Sequence, residues 1–339
     1  MPTGGDIQCG AQNPDSAKRL APITRRTFLG AAAAAGYMAA TAGVAAPAHP
    51  RRFFARHDLP IGLQLYTLGE APYQDLDGTL QTLARIGYRT VETVGLMKRT
   101  AGELRAALDR AGLSCPSAHV PLQADGGGGP SLAGDIGRLA ADMHGVGVSY
   151  VVVPIFPLPE RIGGPREGED GQHFLSRAGS EMTAADWRRM AAQLNEKGAA
   201  LKREGLKLAY HNHNVEFTRQ GHGTAYDLLL ANTDPDAVWF EMDVGWVAAA
   251  GVDPIPLLRA HRERFRLMHV KDIKASTVPN NGFRMDPADV GSGALDWKSI
   301  LAAGYEAGVR YYYVEQEPPF AGPRMDAARA DYEYLVGVA

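Results

Sequence analysis

Between residues 61 and 317, eight short runs rich in β-branched and aromatic residues recur, separated by stretches with helical periodicity. The runs are IGLQLY (61–66), YRTVETV (88–94), LSCPSAHV (113–120), SYVVVPIF (149–156), LKLAYHNH (206–213), VWFEMDV (238–244), FRLMHVKD (265–272) and VRYYYVEQE (309–317). Such alternation suits a parallel sheet, because each parallel crossover needs a helix and the helices cover both ends of the strand path. The helical stretches include TLQTLARIG (79–87), AGELRAALDRAG (101–112) and AADWRRMAAQLNEKGAALKREG (184–205). They end at Gly87, Gly112 and Gly205, the residue type that closes a helix in the left-handed region. Eight βα units of this size predict one α/β domain over 49–339, a (β/α)8 TIM barrel. A doubly wound open sheet is the alternative, but no GxGxxG or P-loop motif opens any of the strands.

Two connections are too long to be simple turns. PLQADGGGGPSLAG (121–134) follows the third run and PLPERIGGPREGEDGQHFLSRAGSEM (157–182) the fourth. Both leave the C-terminal ends of strands, where barrel active sites form, so the second is expected to cover a substrate. The GGGG run (126–129) reads as a flexible linker.

Residues 1–48 follow a different logic. TRRTFLG (24–30) sets Arg25 and Arg26 before the uncharged AAAAAGYMAATAGVAA (31–46) and the small-residue end Pro47-Ala48. That order predicts an export signal of the twin-arginine type. A segment built on Ala and Gly is a poor permanent membrane span. Cleavage after Ala46 or Ala48 would remove Cys9 and leave Cys115 as the sole thiol, which excludes an internal disulfide. The expectation is transient contact with export machinery and a periplasmic or secreted location, where unphosphorylated sugars are the carbohydrates to be met. The charge balance, 35 Lys+Arg against 38 Asp+Glu for a net −3, excludes a generic nucleic-acid-binding surface.

Ionisable residues gather at one end of the strands. Glu92 closes the second run, His119 the third, His211 and His213 the fifth, Asp243 the sixth, His269 and Lys271 the seventh, and Glu315 with Glu317 the eighth. In a barrel these converge on one mouth, where buried carboxylates and imidazoles repel one another or stay unsatisfied unless something binds them. One divalent cation does so, and mixed His/carboxylate donors suit Mn²⁺, Zn²⁺, Co²⁺ or Fe²⁺, with Mg²⁺ also in range. Singly, each residue has a plainer role. Glu92 could pair with Arg89, Lys271 with Asp272 at the surface, and Glu317 could lie in the loop before Pro318.

The segments LAYHNHNVEF (208–217), WFEMDVGWVAAAG (239–251), RLMHVKD (266–272), VGSGALDW (290–297) and YYYVEQE (311–317), in this order, resemble the sugar phosphate isomerase/epimerase family with its xylose isomerase-like TIM barrel. IGLQLYTL (61–68) and IGYRTVE (86–92) resemble its opening strands, so the likeness spans about 60 to 337. The resemblance implies a metal held by His211, Asp243, His269 and Glu315. Many relatives carry Glu-Asn-His where this chain has His211-Asn212-His213, so an imidazole replaces the usual carboxylate. Strand alternation points His211 and His213 the same way; His211 is taken as the ligand and His213 as a substrate contact. Relatives that cleave DNA carry a metal-binding His three residues after the Asp. Here that place holds Trp246, which can stack on a sugar ring instead.

The implied chemistry moves a proton beside a carbonyl through an enediolate, as in isomerisation or epimerisation of an unphosphorylated carbohydrate. Glu315 is the expected ligand and base on one face, with Glu216, His119 or His213 on the other; Glu216 could instead orient a ligating His. Glu92, His119, Trp246 and Lys271 are expected to touch substrate. The same chemistry supports β-elimination from a 3-keto glycoside, and a non-catalytic periplasmic sugar-binding barrel is the competing class. A full ligand set favours the enzyme.

Overall fold

The computed structural model describes residues 52–124 and 129–338. The expected export signal and most of the GGGG run lie outside them. Eight strands form one closed, all-parallel barrel: β1 (Ile61–Gln64), β2 (Thr90–Val94), β3 (Ser114–His119), β4 (Tyr150–Val153), β5 (Lys207–His211), β6 (Val238–Asp243), β7 (Phe265–Val270) and β8 (Tyr311–Val314). They pair in chain order around the ring, and β8 closes onto β1. The (β/α)8 barrel expected from the sequence is the observed architecture.

The helices owe their limits to local chemistry. In Ala101–Ala111, Thr100 and Glu103 form a reciprocal capping box, and Gly112 ends the helix at φ 67 with its N–H on the carbonyls of Leu108 and Asp109. Ala184–Arg203 opens on a second such box, Thr183 with Asp186, and buries Trp187, Met190, Ala191, Leu194 and Leu201 at helical spacing against the barrel. At about 25 cal/mol per Å² of apolar surface, fully burying one such Leu contributes roughly 2 kcal/mol.

Inside the barrel the layers differ. Tyr150, Val152, Ala209, Leu267 and Tyr313 form an apolar plug at the lower level, with Trp239 and Tyr311 packed against it. Two residues further along the same inward rows, Ala209 gives way to His211, Leu267 to His269 and Tyr313 to Glu315. The plug leaves the polar groups nowhere to go but the C-terminal mouth. Register keeps them level, since Asp243 sits opposite His269 and Gln64 opposite Glu92.

One expectation is corrected. The segment 157–182 is not all loop: it contains a helix, Gly171–Glu181, whose first turn is capped by Asp170 accepting from the backbone N–H of His173 at 2.9 Å. Ala178 and Gly179 are its buried face, and a Cβ at Gly179 would stand 2.1 Å from Val215 Cγ2. The Gly, Pro and charged residues before it hid the amphipathic stretch.

Candidate metal centre and active site

His211 is the last residue of β5, Asp243 the last of β6, and His269 the penultimate residue of β7, while Glu315 directly follows β8. All four are buried, and each offers a donor atom within 4.8 Å of the others'. His269 Nδ1 lies 2.8 Å from Glu315 Oε2 and 3.7 Å from Asp243 Oδ2, and His211 Nε2 is 3.9 Å from the same Asp243 oxygen.

Asp243 is aimed by a helix start. Its Oδ1 accepts from the backbone N–H of Trp246 at 2.9 Å, capping the short helix Val244–Ala249. Oδ2 is thereby turned into the mouth, where it meets Lys271 Nζ at 2.9 Å as an ion pair but receives no aligned hydrogen bond. Lys271 also reaches Glu315 Oε2 at 2.8 Å and Glu317 Oε1 at 3.1 Å. Gly245 lets it pass, since a Cβ there would come within 2.7 Å of Lys271 Cγ.

Beneath the ligand atoms runs a second, denser network. Glu92 Oε2 accepts from Gln64 Nε2 at 2.8 Å and faces His269 Nε2 at 2.7 Å and His119 Nε2 at 3.0 Å, while Ser117 donates to Oε1. Glu241 Oε2 lies 3.0 Å from His211 Nδ1, 3.1 Å from His119 Nε2 and 3.2 Å from His269 Nε2. His211, His269 and His119 thus share a donor set with Glu241 as well.

The charges sort themselves by these contacts. Burial holds His211 well below the usual imidazole range, with the charges of His269 and His119 adding to it, so it is neutral and free to ligate. Burial and Lys271 push His213 down to about 3. Burial opposes charge on His119 and His269, but Glu92 and Glu241 push the first up to about 10, and Glu241 and Glu315 raise the second well above its ordinary value. Burial and the charge of Glu92 lift Glu241 to about 7. Burial works to raise Glu315, yet Lys271 and His269 hold it well below the carboxylate range.

These residues fit a divalent ion. Two imidazoles and two carboxylates converge within 4.8 Å, and Asp243 Oδ2 and Glu241 Oε1 are buried without a hydrogen bond. An ion entering there would displace the proton His269 now carries.

The mouth opens into two cavities. One, of about 400 Å³, is walled by His213, Trp246, Phe283, Tyr66, Leu175 and Glu317 among others. Trp246 Nε1 and His213 Nδ1 are buried there without partners. The other, of about 490 Å³, is bounded by His119, Val94, Tyr73, Lys98 and Arg99.

Three expected substrate or catalytic residues have other places. Glu92 lines neither cavity, because both its oxygens are engaged below the ligand plane; nor does it pair with Arg89, which bonds the carbonyls of Ala84 and Tyr88. Glu216 turns outward: it accepts from the hydroxyl of Tyr210, on the outer face of β5, and from the backbone N–H of His213 at 2.9 Å. Burial raises it to about 7. It shapes the turn that carries His213 and does not reach the ligand atoms. Lys271 is fully buried under Trp246, its Nζ 5.0 Å from the ring centroid, rather than paired with Asp272 at the surface. Glu241, Gln64 and Ser117 were missed. Glu241 stands two residues before Asp243, the spacing that puts both on one face of a strand.

A model of the family described as xylose isomerase-like TIM barrel matches residues 80–336. Curated relatives include an inosose dehydratase of Lacticaseibacillus casei, 27% identical over 48% of this chain and 55% of that one, so the match spans about half the relative's length. An inosose dehydratase of Geobacillus kaustophilus is 24% identical over 76% of this chain and 86% of its own. Among solved structures, a sugar phosphate isomerase/epimerase from Parabacteroides distasonis superposes with a TM-score of 0.63 at 26% identity, covering 82% of this chain and 93% of that one.

Proposed function

We propose a function from one premise: the chain belongs to the xylose isomerase-like TIM barrel family. It is a divalent-metal-dependent enzyme that removes a proton beside the carbonyl of an unphosphorylated carbohydrate. The observation that carries this is the meeting of His211, Asp243, His269 and Glu315, drawn from four separate strands, within 4.8 Å of one another.

A divalent ion held by these four residues supplies Lewis acidity to the substrate's carbonyl. The protein's own groups do the rest. Trp246 and Phe283 offer apolar faces to one side of a sugar ring, and Trp246 Nε1 and His213 Nδ1 are free to bond its hydroxyls. His213 is the proton acceptor at the cavity wall, held by its backbone bond to Glu216. Lys271 fixes Asp243 and Glu315 against their mutual repulsion. The reading favoured by the inosose dehydratase relatives is elimination of a β-substituent once the proton has gone. Isomerisation or epimerisation is the second reading, favoured by imidazoles on either side of His211: His213 at 4.9 Å and His119 at 5.2 Å between ring centroids.

The test is solvent-deuterium incorporation into neutral ketoses and keto-inositols with added Mn²⁺ or Co²⁺. Exchange beside the carbonyl, abolished by EDTA and by Glu315→Gln, is the expected result. Metal-dependent sugar binding without exchange would leave only a binding protein. The export signal, and with it a periplasmic or secreted location, is proposed on the Arg25-Arg26 segment alone.

A further inference from the structure

The two cavities stand on opposite sides of the ligand set. One is built over the ends of β5 to β8 and β1, the other over β2 and β3, which lie across the ring from β6 and β7. A row of imidazoles stands between them: His213 in the first wall is 4.9 Å from His211, and His211 is 5.2 Å from His119 in the second. Each cavity has a volume typical of a small-molecule site.

Their chemistry differs. The first is aromatic, and among the described residues its only charged wall residue is Glu317. Among the described residues the second has no carboxylate in its wall, and it carries Lys98 and Arg99. Arg99 is tethered to the carbonyl of Tyr73 at 3.1 Å and Lys98 Nζ hovers 5.2 Å over the Tyr73 ring, so both cations are presented at this side. Met97 and Lys98 hold left-handed backbone at φ 53 and 56, a strained turn that lifts the pair to the rim. Val94, exposed despite its apolar side chain, lines the same cavity.

We infer that the substrate is a two-unit molecule: a keto-sugar ring in the aromatic cavity, joined through an oxygen to a second unit that bears a carboxylate and lies toward Lys98 and Arg99. This rests on the function proposed above and specifies its leaving group. The proton beside the carbonyl passes to the base, the C–O bond to the second unit breaks, a C=C bond forms in conjugation with the carbonyl, and the second unit departs as an alcohol after taking up one proton. No water, oxidant or reductant is consumed.

The probe is lactobionate, a galactosyl unit joined to a sugar acid, titrated calorimetrically into the full chain with Mn²⁺ and compared with galactose and gluconate separately. Lactobionate is expected to bind at least about tenfold tighter than either. Lys98→Glu should weaken lactobionate about tenfold and leave galactose unchanged, and Val94→Trp, which fills the second cavity, should do the same with no charge change. Equal affinity for lactobionate and galactose, or variants that weaken both alike, would overturn the inference while Mn²⁺-dependent galactose binding kept the proposed function. Failure to take up Mn²⁺ or any sugar would overturn both.

Discussion

Lys271→Met tests the ion-pair network directly, because Met keeps much of the aliphatic stem while deleting the ammonium. In the native protein that ammonium lies between 2.8 and 3.1 Å from three carboxylates, those of Glu315, Asp243 and Glu317, and is itself fully buried. Removing one partner of a buried pair leaves uncompensated charge and costs about 3–5 kcal/mol. In a domain of this size each kcal/mol moves the melting temperature by roughly 2–4 °C, so the variant in EDTA should melt roughly 10 °C lower. A divalent ion restores positive charge at the same oxygens, so Mn²⁺ should raise the melting temperature of the variant more than that of the native protein. Differential scanning calorimetry with EDTA and with Mn²⁺ reads both effects. A variant within about 2 °C of native in EDTA, or an equal Mn²⁺ shift in both proteins, would refute the view that lysine and ion neutralise the same carboxylates.

Asp331 accepts from the Val290 backbone at 2.6 Å, and burial, with Asp289 and Asp272, pushes it up to about 7. A carboxyl raised above its unfolded value costs nothing below pH 3.8, and the cost grows until it is complete above pH 7. Asp331→Asn should therefore gain about 3 kcal/mol relative to native between pH 5 and pH 8 in urea unfolding; a pH-independent difference would contradict this. Gly245→Ala should force Lys271 aside, lower stability by about 1–3 kcal/mol and weaken Mn²⁺ binding measured by calorimetry. Burial pushes the Cys115 thiol up to about 12, so Ellman's reagent at pH 8 should label it only after denaturation, and rapid native labelling would show the strand opening.

The barrel was legible because its strands are nearly unbroken β-branched and aromatic runs, and the observed β1 to β8 fall inside the eight predicted segments. Their places at the strand ends likewise put His211, Asp243, His269 and Glu315 at one mouth, and the family resemblance singled them out as a set. What escaped did so for local reasons. The alternation that points His211 inward ends with β5, and the one-turn 3-10 helix Val215–Phe217 swings Glu216 onto the outer face. Lys271-Asp272 reads as a surface pair, yet Asp272 is buried and gathers the backbone N–H of Gly291 and the indole N–H of Trp297, closing the VGSGALDW segment over it. That segment is distant in sequence, so neither residue's burial is written in its neighbours.

His211, standing where the family resemblance implies an acid, would change the electrical character of a filled centre. Two uncharged rings and two anionic groups would balance a 2+ ion held there, with Lys271 and Glu317 paired beside it. At its four ligands the loaded centre would carry no net charge and exact no penalty from an uncharged polyol, so any pull on an anion would come from Lys98 and Arg99 at the second cavity. It also trades one hard oxygen for nitrogen, which tilts the choice of ion toward zinc, cobalt or ferrous iron and away from magnesium.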